Sequence, residues 1–362
     1  MKEERNQIEI AEGMTSEEIR AMFFDSTALH EPTYRLYQLN QEGYRYYYRF
    51  DEQGEVHYYP SVTTMLGQVM PTSPHLIDWM LANGKEQAVE KRDMAAAYGT
   101  FMHGCFERLV IERTFDLDGV YATLLEYMEQ NNIPESYFGE WLAKVRKDVL
   151  AFAQFLKDFN VRPLAIEIGL YSEFGFAGCV DMPCLMTDKG GEFPAIVDFK
   201  SGRKGFWESH EIQLHLYRQM WNENFPEMPI ERVFNFSPKD WRKQPTYNLK
   251  EQTKAESAKK IPYLLELAKI ADEGRDNQLT IISGILNLDS GSIDERYKVL
   301  SLAEVLKGKR QEVEDTPETA GNAPIYEPSA ADKINTQPEE ESPVKTGISE
   351  KTDGLDLFNI QF

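Results

Sequence analysis

Gly178-Cys-Val-Asp-Met-Pro-Cys-Leu-Met186 and Pro194-Ala-Ile-Val-Asp-Phe-Lys200 decide how this chain is read. Both runs are apolar and strand-like, and Lys189-Gly-Gly191 supplies a turn between them. Each run contains one aspartate. If the two strands pair as a hairpin, Asp181 and Asp198 converge at one end of the sheet. In Asp198-Phe-Lys200 the strand period of two puts Asp198 and Lys200 on one face and Phe199 on the other. Taken alone, Asp-x-Lys also describes a surface ion pair at a strand end, so the surrounding sequence has to decide.

Working upstream, Leu164-Ala-Ile-Glu-Ile-Gly-Leu170 reads as a strand with Glu167 in its middle. A carboxylate among apolar residues is costly unless it meets a partner or a metal, or faces solvent on an edge strand. Residues 139–159 read as a helix with Val145, Val149, Phe152, Phe155 and Leu156 on one face. Residues 84–112 read as a helix interrupted at Gly99, which carries His103 and, one turn on, Glu107. Residues 33–59 alternate aromatic and polar side chains around Asp51-Glu-Gln-Gly54, the pattern of a hairpin or short meander. Pro60-Ser-Val-Thr-Thr64 ends that segment, with Ser61 or Thr63 as a helix cap. Downstream, a helix over 208–222 places Gln213 and Tyr217 at i, i+4. A strand over 232–236 and an amphipathic helix over 253–273 follow. The order helix, three strands, helix, strand predicts an α/β fold with a mixed central sheet flanked by helices.

The formal net charge is −21, which speaks against a general nucleic-acid binder. Residues 311–362 hold 12 acidic and 3 basic residues, so the tail carries −9 and the rest of the chain −12. Contact with a polyanion must therefore come from a local basic strip and a cation. No run approaches the roughly 18 apolar residues of a membrane span, and the start of the chain has neither an apolar signal core nor an Arg-rich presequence. These features predict a cytoplasmic protein. Cys105, Cys179 and Cys184 form no CxxC pair and are read as small core residues, which argues against a disulfide framework or a Cys₄ metal site.

Hydrolysis of a phosphodiester needs a cation to neutralise developing charge, an activated water and a rigid frame. Two carboxylates and an ammonium at one sheet end match that need. The set Gly99-xxx-His103, Glu167, Gly178-xx-Asp181, Asp198-x-Lys200 and Gln213-xxx-Tyr217, in this order, resembles the RecB-like branch of the PD-(D/E)xK nucleases. The resemblance spans about residues 55–240, including Pro60-Ser-Val-Thr-Thr64 and Trp79 to Gly84, and is similar to phage and bacterial exonucleases and to the mitochondrial genome maintenance exonuclease. It implies a restriction-endonuclease-like core. Asp181 and Asp198 would bind Mg²⁺ or Mn²⁺ with the Phe199 carbonyl, and His103 would be a ligand or next to one. Lys200 would assist the attacking water and Glu167 would support the metal site. Gln213 and Tyr217 would orient Lys200 or the DNA, and Ser61 and Thr63 would touch phosphates. Iron–sulfur members of the branch use four cysteines that this chain lacks, so no such cluster is expected.

The expected activity is a stand-alone exonuclease on DNA ends, acting on single strands in phage or bacterial replication, recombination or repair. Arg203, Lys204, Lys239, Arg242, Lys243 and the 84–112 helix would form the basic strip. An endonuclease on the same core is the nearest enzymatic alternative, and a non-catalytic DNA-binding or assembly subunit the alternative from another class. The chain is expected to divide into a β-rich extension (1–59), the nuclease domain (60–307) and a disordered acidic tail (308–362). The tail ends in an apolar cluster whose Leu355, Leu357 and Phe358 resemble a sliding-clamp-binding peptide, with Gly354 where Gln is usual.

Overall fold

The computed structural model describes residues 29–41, 44–202, 205–273, 280–283 and 298–301. Aromatic alternation at the start produces a three-stranded antiparallel sheet of β1 (Tyr37–Gln41), β2 (Tyr44–Phe50) and β3 (Val56–Pro60). Its cross-strand pair Tyr37–Tyr48 stacks rings 5.1 Å apart, and Tyr48–Tyr58 meets at a tilt with centroids 6.4 Å apart. Four helices and the long α5 follow: α1 (Val62–Val69), α2 (Pro74–Asn83), α3 (Lys85–Glu112), α4 (Val120–Gln130) and α5 (Phe138–Asp158). The α3 helix runs unbroken through Gly99, against the expected interruption. Gly99 is buried in the packed face of α3, where a missing side chain is tolerated.

The remainder is built from β4 (Arg162–Pro163), β5 (Ile168–Ser172), β6 (Phe176–Val180), β7 (Met182–Asp188), β8 (Gly191–Phe199), α6 (Glu208–Asn224), β9 (Arg232–Pro238), β10 (Tyr247–Glu251) and α7 (Ile261–Glu273). The central sheet has the order β10-β9-β8-β7-β4, with β8 and β9 parallel and the other pairs antiparallel. A separate pair, β5–β6, lies next to it in sequence.

Two expected strands are divided here, and the division builds the site. The run 164–170 is not one strand: the Leu164 and Ala165 N–H groups both donate to the Pro183 carbonyl, and Glu167 has a φ of 46°. Glu167 therefore stands at a kink, its N–H on the Asp181 carbonyl at 2.8 Å, and not in mid-strand. The run 178–186 is likewise cut at Asp181. Before it, Val180 pairs with Ile168; after it, Met182 pairs with Val197 of β8. Asp181 is the residue at which the chain leaves one strand pair and joins the other.

Strand alternation sends the residues of β8 and β9 into two cores. Ile196 and Val233 join Val62, Leu66, Ile212, Met220, Trp221 and Leu264 on the α1/α6/α7 side. Phe199 and Phe236 join Phe106, Phe152 and Phe155 on the α3/α5 side, with Phe106 and Phe152 stacked at 4.2 Å. Among the described residues no helix is long and apolar enough to cross a membrane.

The described residues fall into two compact units, 29–273 and the segments 280–283 and 298–301. The described part of the second is an antiparallel pair, β11 (Thr280–Ser283) with β12 (Lys298–Ser301).

Candidate active site

Continuing the β7–β8 register by one position sets Asp181 opposite Asp198. The β8–β9 register sets Asn235 beside Asp198 on the other side. Because β8 and β9 are parallel, Lys200 leaves the sheet at the same edge as the end of β9, its N–H on the Phe236 carbonyl at 2.8 Å. This edge collects the predicted residues into two groups.

The first group surrounds Asp181. One Asp181 oxygen accepts the Phe199 N–H at 2.5 Å. His103, carried in by α3, sets Nδ1 2.8 Å from Glu167 and 3.8 Å from the other Asp181 oxygen, while Nε2 sits 3.2 Å from the Phe199 carbonyl. Both ring nitrogens therefore face atoms that only accept, which suits a doubly protonated imidazolium. Burial opposes that charge, but the Asp181 and Glu167 carboxylates outweigh it and push the imidazole up to about 9. Asp181 is pushed up to about 8 by burial, with His103 working against this and Glu167 and Asp198 adding to it. Glu167 is raised by burial but ends lower than an ordinary glutamate because His103, Cys179 and Arg45 favour its charged form. The Cys179 thiol donates to Glu167 at 3.2 Å, so this cysteine belongs to the site edge and not simply to the core, as expected for Cys105 and Cys184. Glu107, one turn beyond His103, is raised by burial and by Glu167.

His103, Glu167 and Asp181 each offer one ligand atom, all within 4.8 Å of one another. Two carboxylates, an imidazole and a nearby carbonyl form a hard donor set, and a proton on His103 now supplies the positive charge that the acceptors require. The residues fit a divalent cation.

The second group surrounds Asp198, which is fully buried. Lys200 Nζ lies 3.0 and 2.9 Å from its two oxygens, and the Asn235 amide donates to it at 2.7 Å. Lys200 also donates to the Gln213 carbonyl oxygen at 3.0 Å, and the Gln213 amide donates to the Tyr217 hydroxyl at 2.7 Å. The expected i, i+4 pair on α6 thus continues the Lys200 contact. The close approach of α6 depends on Gly178, where a Cβ would stand 3.0 Å from Tyr217 Cε1 and 3.2 Å from Met220 Cε.

Ser61 and Thr63 stand at the N-terminus of α1. Ser61 is the cap, accepting the Thr64 N–H at 3.0 Å, and its hydroxyl also meets Thr63 at 3.0 Å and Thr64 at 2.9 Å. Ser61 is buried and Thr63 partly exposed. Lys239, Arg242 and Lys243 are exposed on the β9–β10 loop, which Trp241 ties to the Lys147 carbonyl of α5 at 3.2 Å. Arg203, Lys204, Leu355, Leu357 and Phe358 lie outside the described residues.

Sequence reasoning missed Asn235. Its signal was available, since an Asn between Phe234 and Phe236 in an apolar strand needs a buried partner. Gln252, which donates to Asn235 at 3.3 Å, sits just past β10 and carried no comparable signal.

Among curated proteins, none matches the chain. The model of the PD-(D/E)XK nuclease superfamily does, over residues 78–287. That stretch covers more than half of the chain, contains every strand of the five-stranded sheet and includes all the residues of both carboxylate groups, and on that match the chain belongs to the PD-(D/E)XK nuclease superfamily.

Proposed function

We propose that this chain is a Mg²⁺-dependent exodeoxyribonuclease that hydrolyses phosphodiester bonds at the ends of single-stranded DNA in replication, recombination or repair. The observation that carries the reading is the meeting of Asp181, Asp198 and Lys200 at one sheet edge, with His103 and Glu167 against Asp181. The preference for ends rests on the resemblance of the motif order to the RecB-like exonucleases.

His103, Glu167 and Asp181, with Asp198 and the Phe199 carbonyl alongside, would hold the cation. When bound, such an ion neutralises phosphate charge and makes water a stronger nucleophile. The chain's own residues arrange the rest. Asp198 and Gln213 hold Lys200 between them, so its ammonium points where negative charge grows on the phosphate. Asn235 keeps the Asp198 carboxylate turned toward Lys200, and Tyr217 fixes the Gln213 amide so that its oxygen and not its nitrogen faces Lys200. The Phe106–Phe152–Phe199–Phe236 cluster stiffens the strand ends from behind.

The test is release of nucleotides from end-labelled single strands in Mg²⁺, by the wild type and by Asp198→Ala. Wild-type release that is lost in the variant supports the reading, and persistent release would remove Asp198 from the machinery. Circular single strands should resist, and equal cleavage of circles and linear strands would make the enzyme an endonuclease. Leu355, Leu357 and Phe358 are proposed to dock on a sliding clamp, and their replacement by alanine should abolish clamp binding without changing cleavage of naked DNA.

A further inference from the structure

The N-terminal sheet lies outside the family match, yet its β2 strand packs against β6, the strand that runs into Asp181. Arg45, Tyr47 and Arg49 alternate onto one face of β2. Arg49 is fully engaged there: its Nε donates to the Tyr59 hydroxyl at 3.1 Å and its guanidinium stacks on Tyr171 at 4.4 Å. Arg45 is held differently. Its backbone is pinned to the start of α1, with its N–H on Thr64 Oγ1 at 3.1 Å, and its carbonyl accepting from that hydroxyl at 3.0 Å and from the Ser61 N–H at 2.9 Å. Its side chain lies near the Tyr47 hydroxyl and beside Cys179, Tyr217 and Glu167.

Arg45 makes no ion pair within 4.0 Å among the described residues; the residue as a whole is exposed although its guanidinium is partly shielded from water, whereas Tyr47 is buried. A guanidinium carries five N–H donors in a rigid fork, and the contact with Tyr47 leaves most of that fork open. The other cations of the site are already occupied, Lys200 by Asp198 and Gln213, and His103 by Glu167. In a chain of net charge −21, an arginine whose neighbouring carboxylate, Glu167, is already held by His103 and Cys179 is placed for an anion from outside.

We infer that Arg45 binds a backbone phosphate of the DNA strand next to the scissile bond, with the Tyr47 hydroxyl fixing the angle of its guanidinium. The inference rests on the nuclease reading above and adds a substrate contact supplied from outside the family-matched region. The α1 cap connects the two: the same Ser61 and Thr64 that begin the helix set where Arg45 stands.

The test uses full-length wild type, Arg45→Gln, Arg45→Lys and Tyr47→Phe, with a fluorescein-labelled oligothymidylate as probe. Cleavage is followed in Mg²⁺ at several salt concentrations, and binding by fluorescence anisotropy in Ca²⁺. Arg45→Gln should raise KM and weaken binding by about 10-fold, the scale of one charge-assisted hydrogen bond, with kcat little changed. It should also lower the slope of log affinity against log salt by about 0.7, the value of one phosphate contact to a single strand. Arg45→Lys should keep the salt slope but recover the affinity only in part, because it keeps the charge and loses the fork. Tyr47→Phe should fall between wild type and Arg45→Gln. A wild-type salt slope and affinity in Arg45→Gln would overturn the inference and leave the nuclease reading standing. Binding that depends on Arg45 without any wild-type cleavage would overturn the nuclease reading and leave the phosphate contact. If Arg45→Gln melts too low to assay, the lysine and Tyr47→Phe variants decide by the same readouts, and wild-type behaviour in both overturns it.

Discussion

Asp181 and Asp198 stand opposite each other at one sheet edge, yet their surroundings differ in kind. Asp198 is satisfied by the protein itself, with an ammonium, a buried amide and an internal chain running Gln252–Asn235–Asp198–Lys200–Gln213–Tyr217. Asp181 shares its space with Glu167 and leans on a protonated His103 for charge. One half is neutralised from within and the other is balanced by a proton that a cation can replace. The same residue type is thus partnered by the protein on one strand and left beside other acceptors on the next, because Asp181 sits where the chain changes strand pairs and Asp198 lies inside one.

The strongest way to break this contrast is to neutralise each carboxylate in turn. Both Asp198→Ala and Asp181→Asn should lower kcat by at least about 10²–10³-fold, the scale of losing one preorganised charge contact. Their stabilities should move in opposite directions. Asp198→Ala leaves Lys200 buried without its partner and should cost about 3–5 kcal/mol in urea unfolding. Asp181→Asn can keep the Phe199 N–H bond and removes a carboxylate whose folded-state value, about 8, lies above its unfolded one. A carboxyl raised in this way loses stability as pH rises from its unfolded value through 8, so at pH 8.5 the metal-free variant should be at least as stable as wild type. Equal losses in both variants would erase the distinction between the halves.

Much of this is legible in the amino-acid sequence. The pairing of residues 182–186 with the strand before Asp198, the sharing of a face by Asp198 and Lys200, and the Gln213–Tyr217 pair agree with periods of 2 and 3.6. What was not legible depended on backbone departures from those periods. The kink at Glu167, the change of pairing at Asp181 and the two N–H donors on the Pro183 carbonyl leave no trace in the periodicity. The role of Arg45 was hidden for another reason. It reaches the site across 134 residues of sequence from Cys179, through a sheet whose aromatic alternation draws attention to the tyrosines and away from the arginines between them.

A gentler perturbation strikes the contact between the halves. Gly178 precedes Asp181 and also receives Tyr217, so Gly178→Ala must displace Tyr217 and Met220 by some tenths of an ångström. The overpacking should cost about 1–3 kcal/mol. Because Tyr217 fixes Gln213 and Gln213 holds Lys200, kcat should fall more than KM rises. An unchanged kcat would mean that the Lys200 contact tolerates movement of α6.

Mg²⁺ addition then tests which half takes the ion. At ten times its dissociation constant a ligand adds about 1.4 kcal/mol to the folded state, a measurable rise in Tm. His103→Ala and Glu167→Gln should lose that rise, while Gln213→Ala should keep it. The rise should be larger at pH 8.5 than at pH 6.5, because protons on His103 and Asp181 compete with the ion below about 8–9. A pH-independent rise would place the ion away from His103.

The smallest effect concerns how the Lys200 half stays free of further charge. His210, in the first turn of α6, accepts the Trp207 N–H on Nδ1 at 3.3 Å, and its buried Nε2 has no hydrogen-bond partner among the described residues. Burial, with the nearby Lys200 ammonium adding to it, pushes its value well below 6.5. Above pH 6.5 the ring is neutral in both folded and unfolded chains and contributes no slope. Below 6.5 the unfolded chain takes up a proton that the fold refuses, so stability falls with decreasing pH by up to about 1.4 kcal/mol per unit. His210→Asn removes this group and should flatten the decline between pH 6.5 and 5.5 by about 1 kcal/mol. His215, also lowered by burial, remains in both proteins and cancels in the comparison. If the two declines coincide, His210 accepts a proton in the fold after all, and the Lys200 half tolerates a second positive charge as readily as the Asp181 half does.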